Sequence, residues 1–135
     1  MWIFGVLEKA VKTLDKSRGR KRTAPKSLAS RGERVVAAVL KKHGIKYKTQ
    51  YKLGEFVHVD FAVYHKGKLF LVEYDGAQHY HPVKRFGGKR AFIFQRVHDI
   101  IENRECKDRK IPLLRIRYDV PYDKIESMLL NFLNK

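Results

Sequence analysis

The sequence predicts an α/β fold in which a small mixed β-sheet is flanked by helices on both faces. Two observations carry this prediction. Helix-like and strand-like periodicities alternate from residue 30 onward, in the order helix, three strands, helix, strand, helix. The chain has 135 residues, which is enough for one hydrophobic core and too few for two. We therefore divide it into an N-terminal segment, residues 1–29, and one domain, residues 30–135.

The N-terminal segment combines a short apolar stretch with a basic one. Five apolar residues recur at helical spacing, namely Ile3, Leu7, Ala10, Val11 and Leu14. Residues 2–14 are therefore predicted to form an amphipathic helix, whose apolar face packs on the domain, on a second copy of the chain or on a membrane surface. Residues 16–34 hold eight Lys or Arg, and Gly19 and Pro25 interrupt any helix there. This basic arm either lies along a phosphate backbone or is a solvated tether.

The first half of the domain predicts one helix followed by three strands. Ser30 and Glu33 match a capping box and Gly44 provides a stop, which predicts a helix of about three turns. Three segments rich in β-branched and aromatic residues come next, separated by Gly54 and by a Lys66-Gly67 pair. These predicted strands are residues 47–53, 56–64 and 68–75. We expect them to form an antiparallel meander.

The second half of the domain predicts a loop, a helix, a strand and a final helix. Glycine and polar residues fill the loop at residues 76–88, and helical spacing returns over residues 89–107. Residues 113–118 form the next predicted strand. After the break at Pro121, five apolar residues mark a closing amphipathic helix, namely Ile125, Met128, Leu129, Phe132 and Leu133.

The charge of the chain favours a polyanionic partner. It has 30 Lys plus Arg against 14 Asp plus Glu, a net charge of +16, which makes nucleic acid the leading candidate. A structural role of the ribosomal type, binding to a membrane surface, or solubility alone are the other interpretations. Cys106 is the single cysteine, so no internal disulfide and no Cys-rich zinc site can form, and a reducing, cytoplasmic setting is expected. We expect no signal peptide, because the apolar start reaches the charged pair Glu8-Lys9 too soon and lacks both a basic leader and a small-residue cleavage site. We expect no bilayer-spanning segment, because no apolar run approaches about 20 residues.

The turn between the second and third predicted strands fixes the pairing of their side chains. If Lys66-Gly67 is a two-residue turn, Asp60 lies opposite Glu73, and His58 lies opposite Asp75. Side chains alternate along a strand, so all four polar groups would project from one face. Opposed carboxylates lie about 5 Å apart at Cβ and repel each other.

This carboxylate pair predicts a metal site. Asp60 lies in the run VDFAV and Glu73 in the run FLVEYDG, where an unpaired carboxylate is costly. A divalent cation relieves the repulsion, and Mg²⁺ or Mn²⁺ suits hard oxygen ligands at this separation. The alternative is that either acid is an ordinary exposed residue neutralised by a nearby Lys or Arg.

Asp60, followed at a short interval by Glu73-Tyr74-Asp75 on the next strand, resembles the PD-(D/E)XK nuclease superfamily. With Glu33, His79 and Asp99, the chain resembles the branch that holds the very-short-patch-repair endonucleases and certain phage homing endonucleases. The stretches VEYDGAQHYHPV, HDIIENREC and LLRIRY share this likeness, which spans about residues 30–119. It implies a restriction-endonuclease-like sheet and metal-dependent hydrolysis of DNA.

The resemblance also implies roles for individual residues. Asp60 and Glu73 would bind the metal, His79 would handle a proton, and Glu33 and Asp99 would complete the site. The chain departs from the superfamily motif at Asp75, which stands where a lysine is expected, and it lacks the cysteines of the repair enzymes' structural zinc site. Mismatch specificity is therefore not implied.

The residues themselves leave some of these roles open. The alternative for Glu33 is a role in its helix cap alone. His81 is the alternative to His79 as the proton-handling histidine, Asp99 could belong to a polar helix stripe, and Gln78 could hydrogen-bond the site or DNA.

We expect a Mg²⁺-dependent DNA endonuclease that nicks one strand per active site, with double-strand cleavage requiring a second subunit. A resolvase of branched DNA, favoured if the chain is a homodimer, and a non-catalytic nucleic-acid-binding protein are the alternatives. If the gene is phage-borne, the host cytoplasm is the expected compartment. Eight basic residues are the candidate DNA contacts, namely Arg18, Arg20, Lys21, Arg22, Lys84, Arg85, Lys89 and Arg90.

Overall fold

The computed structural model describes residues 29–55 and 57–135, and it shows an α/β fold built on one four-stranded mixed sheet. The elements are α1 (Arg31–Lys42), β1 (Lys46–Leu53), β2 (Val57–His65), β3 (Lys68–Asp75), α2 (Gly88–Asp108), β4 (Leu113–Arg117) and α3 (Tyr122–Leu133). Single turns of 3-10 helix, Ala77–His79 and Lys84–Phe86, lie between β3 and α2. The predicted fold class is confirmed. The predicted helix at residues 2–14 and most of the basic arm lie outside the described residues.

The sheet has the strand order β1-β2-β3-β4. Its first three strands are antiparallel, which confirms the predicted meander, and β4 pairs in parallel with β3. A parallel neighbour requires a crossover connection, and α2 provides it. Within the described residues, no helix is long and apolar enough to cross a membrane.

The β2–β3 hairpin has the predicted two-residue turn. Lys66 and Gly67 both have positive φ, 49° and 73°, the backbone conformation that matches the twist of a tight hairpin. His65 pairs with Lys68, and the same register continues to Phe61 and Val72. The regular pairing ends there, so neither of the predicted oppositions, Asp60 with Glu73 and His58 with Asp75, is part of the ladder.

The two faces of the sheet are covered by different helices. Against one face, α1 and α3 pack a buried apolar core that includes Val36, Leu40, Val63, Ile125 and Leu129. Against the other face, α2 packs a smaller cluster that includes Leu53, Leu71, Ile101 and Cys106. Helices on both faces were predicted, and this layering buries the sheet on both sides.

The β1–β2 pair is distorted at Gln50 and Asp60. Gln50 has a positive φ of 50°, and the paired register skips from Thr49–Phe61 to Tyr51–Val59. Odd-numbered residues change sides across this point, since Phe61 belongs to the α1/α3 core and Val59 to the α2 cluster. Side chains of a regular strand alternate without such a change. The distortion therefore places Asp60 where β2 has left the regular sheet geometry.

Candidate active site

Asp60 and Glu73 form a buried carboxylate pair where β2 and β3 separate. The Asp60 amide donates to Glu73 Oε1 at 3.0 Å, and the Tyr74 amide donates to Asp60 Oδ2 at 2.8 Å. Each carboxylate therefore accepts a main-chain N–H where a ladder hydrogen bond would otherwise be expected. Glu73 is 7% exposed. The predicted juxtaposition of these two residues is present in the fold.

The close approach of the two acids disfavours their charged forms. Burial, together with the charges of Asp60 and Glu102, raises the pKa of Glu73 to about 11. Burial also raises the pKa of Asp60, more than the hydrogen bond from the Tyr74 amide lowers it. Charging both carboxylates at neutral pH thus requires a compensating positive charge.

This donor set suits a divalent cation. Two buried carboxylates whose mutual repulsion would be relieved by a positive charge are the hard oxygen ligands of Mg²⁺ and Mn²⁺. Magnesium commonly uses only one or two carboxylates and keeps several waters. Among the described residues, no group of three or more His, Cys, Asp or Glu side chains is already arranged to hold a metal ion.

Glu33 reaches the pair from the first turn of α1. Burial and the charge of Asp60 raise its pKa, against hydrogen bonds with Ser30 that lower it. Ser30 is the N-cap of α1, accepts from the Glu33 amide at 3.2 Å and donates to Glu33 Oε1 at 3.2 Å. Glu33 therefore bonds to the cap of its helix and also lies near enough to Asp60 for their charges to interact.

A glycine sets the distance between α1 and the sheet. A β-carbon added to Gly32 would overlap the ring of Tyr74, so only glycine permits this close approach. Tyr74 is held in place because its hydroxyl donates to the Tyr118 carbonyl at 3.3 Å. This contact brings the neighbouring Glu33 towards Asp60.

His79 and Asp99 form a second pair beside the acids. His79 Nδ1 lies 3.1 and 3.0 Å from the two Asp99 oxygens, and Gln95 Nε2 donates to Asp99 Oδ1 at 2.9 Å. Burial lowers the pKa of His79, but the hydrogen bond to Asp99 and the charges of Asp75 and Asp99 outweigh it, so the net pKa is raised. Burial raises the pKa of Asp99, and its contacts with His79 and Arg115 bring it below its usual value. An ionised Asp99 accepts, so Nδ1 donates and Nε2 is left to accept a proton.

Arg115 on β4 connects three acids and was missed from the sequence. Its guanidinium donates to Asp75 at 3.1 and 3.2 Å and to Glu102 at 2.6 Å, and lies 3.7 Å from Asp99. Asp75, 1% exposed, also accepts from the Tyr80 hydroxyl at 3.1 Å. Asp75 is thus held by a cation from the neighbouring strand.

Glu102 on α2 is the other residue that was missed. It is 2% exposed, and burial raises its pKa to about 7, although Arg115 lowers it. The available signals were an arginine inside the short apolar strand LLRIR and two acids three positions apart, Asp99 and Glu102, on one helix face. Neither signal is specific, because each also fits a solvated surface.

A cavity of about 330 Å³ opens beside the site. Its polar lining consists of His58, Glu73, Gln78, His79, Gln95, His98, Asp99 and Glu102. Its apolar lining consists of Val83, Phe86, Gly88, Ala91, Phe92 and Phe94. Glu73 and both members of the His79–Asp99 pair therefore face the same space.

The remaining predicted residues lie around this cavity or outside the described part of the chain. Lys84, Arg85, Lys89 and Arg90 are exposed in the turn and first helical positions that precede Phe92. His81, the alternative histidine, lies against the Tyr118 ring at a centroid distance of 6.0 Å. The arm residues Arg18, Arg20, Lys21 and Arg22 fall outside the described residues.

Comparison with known proteins gives no family assignment for this chain. No protein-family model, curated protein sequence or solved structure matches it. The fold and the geometry of the site are therefore the basis for a functional proposal.

Proposed function

We propose that the protein is a metal-dependent DNA endonuclease of the PD-(D/E)XK type that hydrolyses phosphodiester bonds. The observation that carries this proposal is the buried Asp60–Glu73 pair next to the hydrogen-bonded His79–Asp99 pair. Such an arrangement supplies cation ligands next to a proton-transfer group, and Glu73 and His79 line the same cavity. Metal-assisted phosphodiester hydrolysis uses both kinds of group.

Each residue of the site would have a distinct task. A bound Mg²⁺ or Mn²⁺ ion supplies Lewis-acid chemistry at a phosphoryl oxygen. Asp60 and Glu73 would hold that ion, and Glu33 would add negative charge near Asp60. His79 would transfer a proton through Nε2, while Asp99 fixes its ring orientation and favours the proton on Nδ1.

The charge distribution supports DNA as the substrate. The chain has a net charge of +16. Four exposed basic residues come shortly before the cavity-lining residues Gln95 and Asp99 in the chain, namely Lys84, Arg85, Lys89 and Arg90. Phosphate contacts of this kind give salt-dependent binding without sequence information. We expect weak sequence preference and one nick per active site.

Plasmid cleavage tests the proposal. Supercoiled DNA is incubated with the protein and Mg²⁺ or Mn²⁺, beside the isosteric variants Asp60→Asn and Glu73→Gln. Glu126→Gln is the matched control, because Glu126 is a carboxylate on the outer surface that pairs with Lys42 at 3.1 Å. Loss of the cation ligands should slow nicking by about a hundredfold to ten-thousandfold, corresponding to several kcal/mol of metal catalysis.

Two results would overturn the proposal in different ways. An intact plasmid with wild-type protein and either metal would leave a non-catalytic DNA-binding protein as the better interpretation. Equal cleavage by Asp60→Asn and wild type would show that the catalytic acids lie elsewhere. A linear product with no nicked intermediate would contradict a single cut per site.

A further inference from the structure

The cavity beside the site has an apolar part that the hydrolytic chemistry does not use. Phe86, Phe92 and Val83 line it, from the 3-10 turn and the first turns of α2. Phe86 is 48% exposed. A large aromatic ring left in water at the mouth of a cavity marks a place where a ligand can remove apolar surface from solvent.

Phe86 lies in a tight turn that precedes α2. Gly87 and Gly88 both have positive φ, 98° and 65°, and the Gly88 amide donates to the Val83 carbonyl at 3.0 Å. This short loop folds back on itself immediately before α2 and leaves Phe86 at the cavity. The Arg85 guanidinium lies 4.7 Å from the centre of the Phe86 ring, which places a cation beside the aromatic face.

One side of α2 lines the cavity from its apolar part to the His79–Asp99 pair. Phe92, Gln95 and Asp99 occupy positions i, i+3 and i+7 of α2, and all three line the cavity. Seven residues of α-helix span about 10 Å. A group stacked on Phe92 would therefore lie about one or two nucleotides from a phosphate at His79 and Asp99.

Two amide side chains provide hydrogen-bonding groups along this path. Gln95 Nε2 donates to Asp99, which orients the Gln95 side chain at the cavity, and Gln78 lines the cavity from the turn after β3. A pocket that combines apolar walls with directional polar groups is a usual form of small-ligand site. Aromatic rings combined with amides match the faces and edges of a nucleobase.

We propose that this cavity binds a single unpaired nucleobase of the DNA substrate, stacked on Phe86 and Phe92. The inference rests on the proposed nuclease function and adds the substrate class: DNA with an unpaired nucleotide near the cleaved bond. A base inside a duplex exposes only its edges, so it must leave the stack to enter a recessed cavity. At about 330 Å³, the cavity is at the small end of ligand sites.

The surrounding charge favours DNA over an uncharged ligand. Lys84, Arg85, Lys89 and Arg90 are exposed beside Phe86, so the entrance to the apolar part is strongly basic. A free apolar compound would gain nothing from these charges, whereas the phosphates on either side of an extruded base would contact them.

The test compares three duplex oligonucleotides of one sequence: fully paired, with one unpaired 2-aminopurine, and with an abasic nucleotide at that position. Binding is measured with Asp60→Asn protein, which retains the cavity, and cleavage with wild type and Mg²⁺ or Mn²⁺. We expect the unpaired base to bind at least about tenfold more tightly than the paired and abasic duplexes, with a rise in 2-aminopurine emission as the base leaves the stack.

Variants separate stacking from general stability. In the Asp60→Asn background, Phe86→Ala should weaken binding of the unpaired base by roughly fivefold to a hundredfold, and Phe86→Trp should preserve it. Ile93→Ala is the matched control, because Ile93 is 55% exposed on α2 and does not line the cavity. Its binding should equal that of Asp60→Asn alone.

The outcomes distinguish this inference from the proposed function. If wild type cleaves the paired and unpaired duplexes equally and the emission does not change, the base site is wrong and the nuclease remains. If the unpaired base binds through Phe86 but neither metal supports cleavage, the base site stands and the nuclease proposal fails. Equal binding of the abasic and unpaired DNA would also overturn the base site, because flexibility alone would then explain the preference.

Discussion

The two faces of the sheet have opposite characters. The face covered by α1 and α3 is a continuous apolar core, in which Val36, Leu40, Ile125 and Leu129 are all completely buried. The face covered by α2 is divided: one part is apolar around Leu71 and Ile101, and the other holds three buried carboxylates. The face under α1 and α3 therefore stabilises the fold through packing. The carboxylates on the face under α2 cost free energy when they are buried.

This difference shows how a small domain can hold a charged site. Buried carboxylates cost free energy unless they are paired or hydrogen-bonded, and here Arg115 and two main-chain amides provide the partners. Within the described residues, every buried side-chain nitrogen or oxygen has a hydrogen-bond partner. We therefore expect substitutions in the apolar core to affect mainly stability, and substitutions at the cavity to affect mainly activity.

The largest expected effect is a loss of activity without a loss of stability, from a substitution on the polar face. His79→Gln removes the proton-transfer group while keeping a polar side chain, so cleavage should slow by about a hundredfold to ten-thousandfold. Because His79 lies at the cavity and outside the apolar clusters, we expect the urea midpoint to stay close to that of wild type. Single-turnover cleavage and urea unfolding of the same preparation measure both. Equal cleavage by His79→Gln would remove His79 from the mechanism, and His81→Gln is the control.

The reverse result is expected on the apolar face. Leu129→Ala opens a cavity at a side chain that is 0% exposed, which should lower the free energy of unfolding by about 3 kcal/mol. Below its unfolding temperature, the variant should cleave at the wild-type rate, because Leu129 lies in the apolar core on the face of the sheet opposite to the buried carboxylates. Denaturant unfolding and initial rates at low temperature test this. A proportional loss of activity would show that the two faces are coupled.

Arg115 should connect stability and activity. Arg115→Met leaves Asp75 and Glu102 buried without their cation, at a side chain that is 19% exposed. We expect a loss of about 2–3 kcal/mol, slightly less than for a fully buried pair. Cleavage should also fall, because Asp75 and Asp99 both contact His79. Arg117→Met on the same strand is the control, since Arg117 pairs with the exposed Asp119. Wild-type stability of Arg115→Met would contradict this role.

We also expect stability to depend on pH in the absence of metal. The folded pKa of Glu73, about 11, lies above the unfolded value of about 4.3, so the native state keeps a proton that the unfolded chain has released. This contribution is complete below the unfolded pKa and is lost as the pH rises towards the folded pKa. Stability should therefore fall by up to about 1.4 kcal/mol per pH unit across that window.

Glu73→Gln should remove this slope, because its side chain does not titrate. Urea unfolding in chelator from about pH 5 to about pH 8 measures it, with Glu126→Gln as the control. In wild type, saturating Mg²⁺ should restore stability at the upper end of the range. If stability depends on pH equally in Glu73→Gln and wild type, Glu73 does not hold a proton in the native state.

Local sequence signals predicted most of the fold. The Ser30 cap, the Lys66-Gly67 turn and the strand patterns each depend on neighbouring residues, and the predicted elements agree with the structure to within one or two residues at their ends. The two-residue turn fixes the register of the hairpin, and this brings Asp60 close to Glu73, although the regular pairing ends one step earlier, at Phe61 and Val72.

The rest of the site depends on contacts between distant elements. Arg115 meets Asp75 because β4 lies parallel to β3, a pairing made across about 40 residues. Glu102 is buried where α2 meets Arg115 of β4, and no helical pattern distinguishes it from Glu105 and Asp108 of the same helix, which are more exposed. The change of sides at Asp60 was missed because the β1–β2 register is continuous on both sides of it, and only packing reveals the distortion.

The two main-chain amides at the carboxylate pair have a spectroscopic consequence. The Asp60 amide proton is bonded to Glu73, and the Tyr74 amide proton is bonded to Asp60. An amide proton resonance responds to the charge on the oxygen that accepts it. These two backbone signals should therefore report separately on each acid, so that a nuclear magnetic resonance titration with Mg²⁺ can follow both without labelling a side chain.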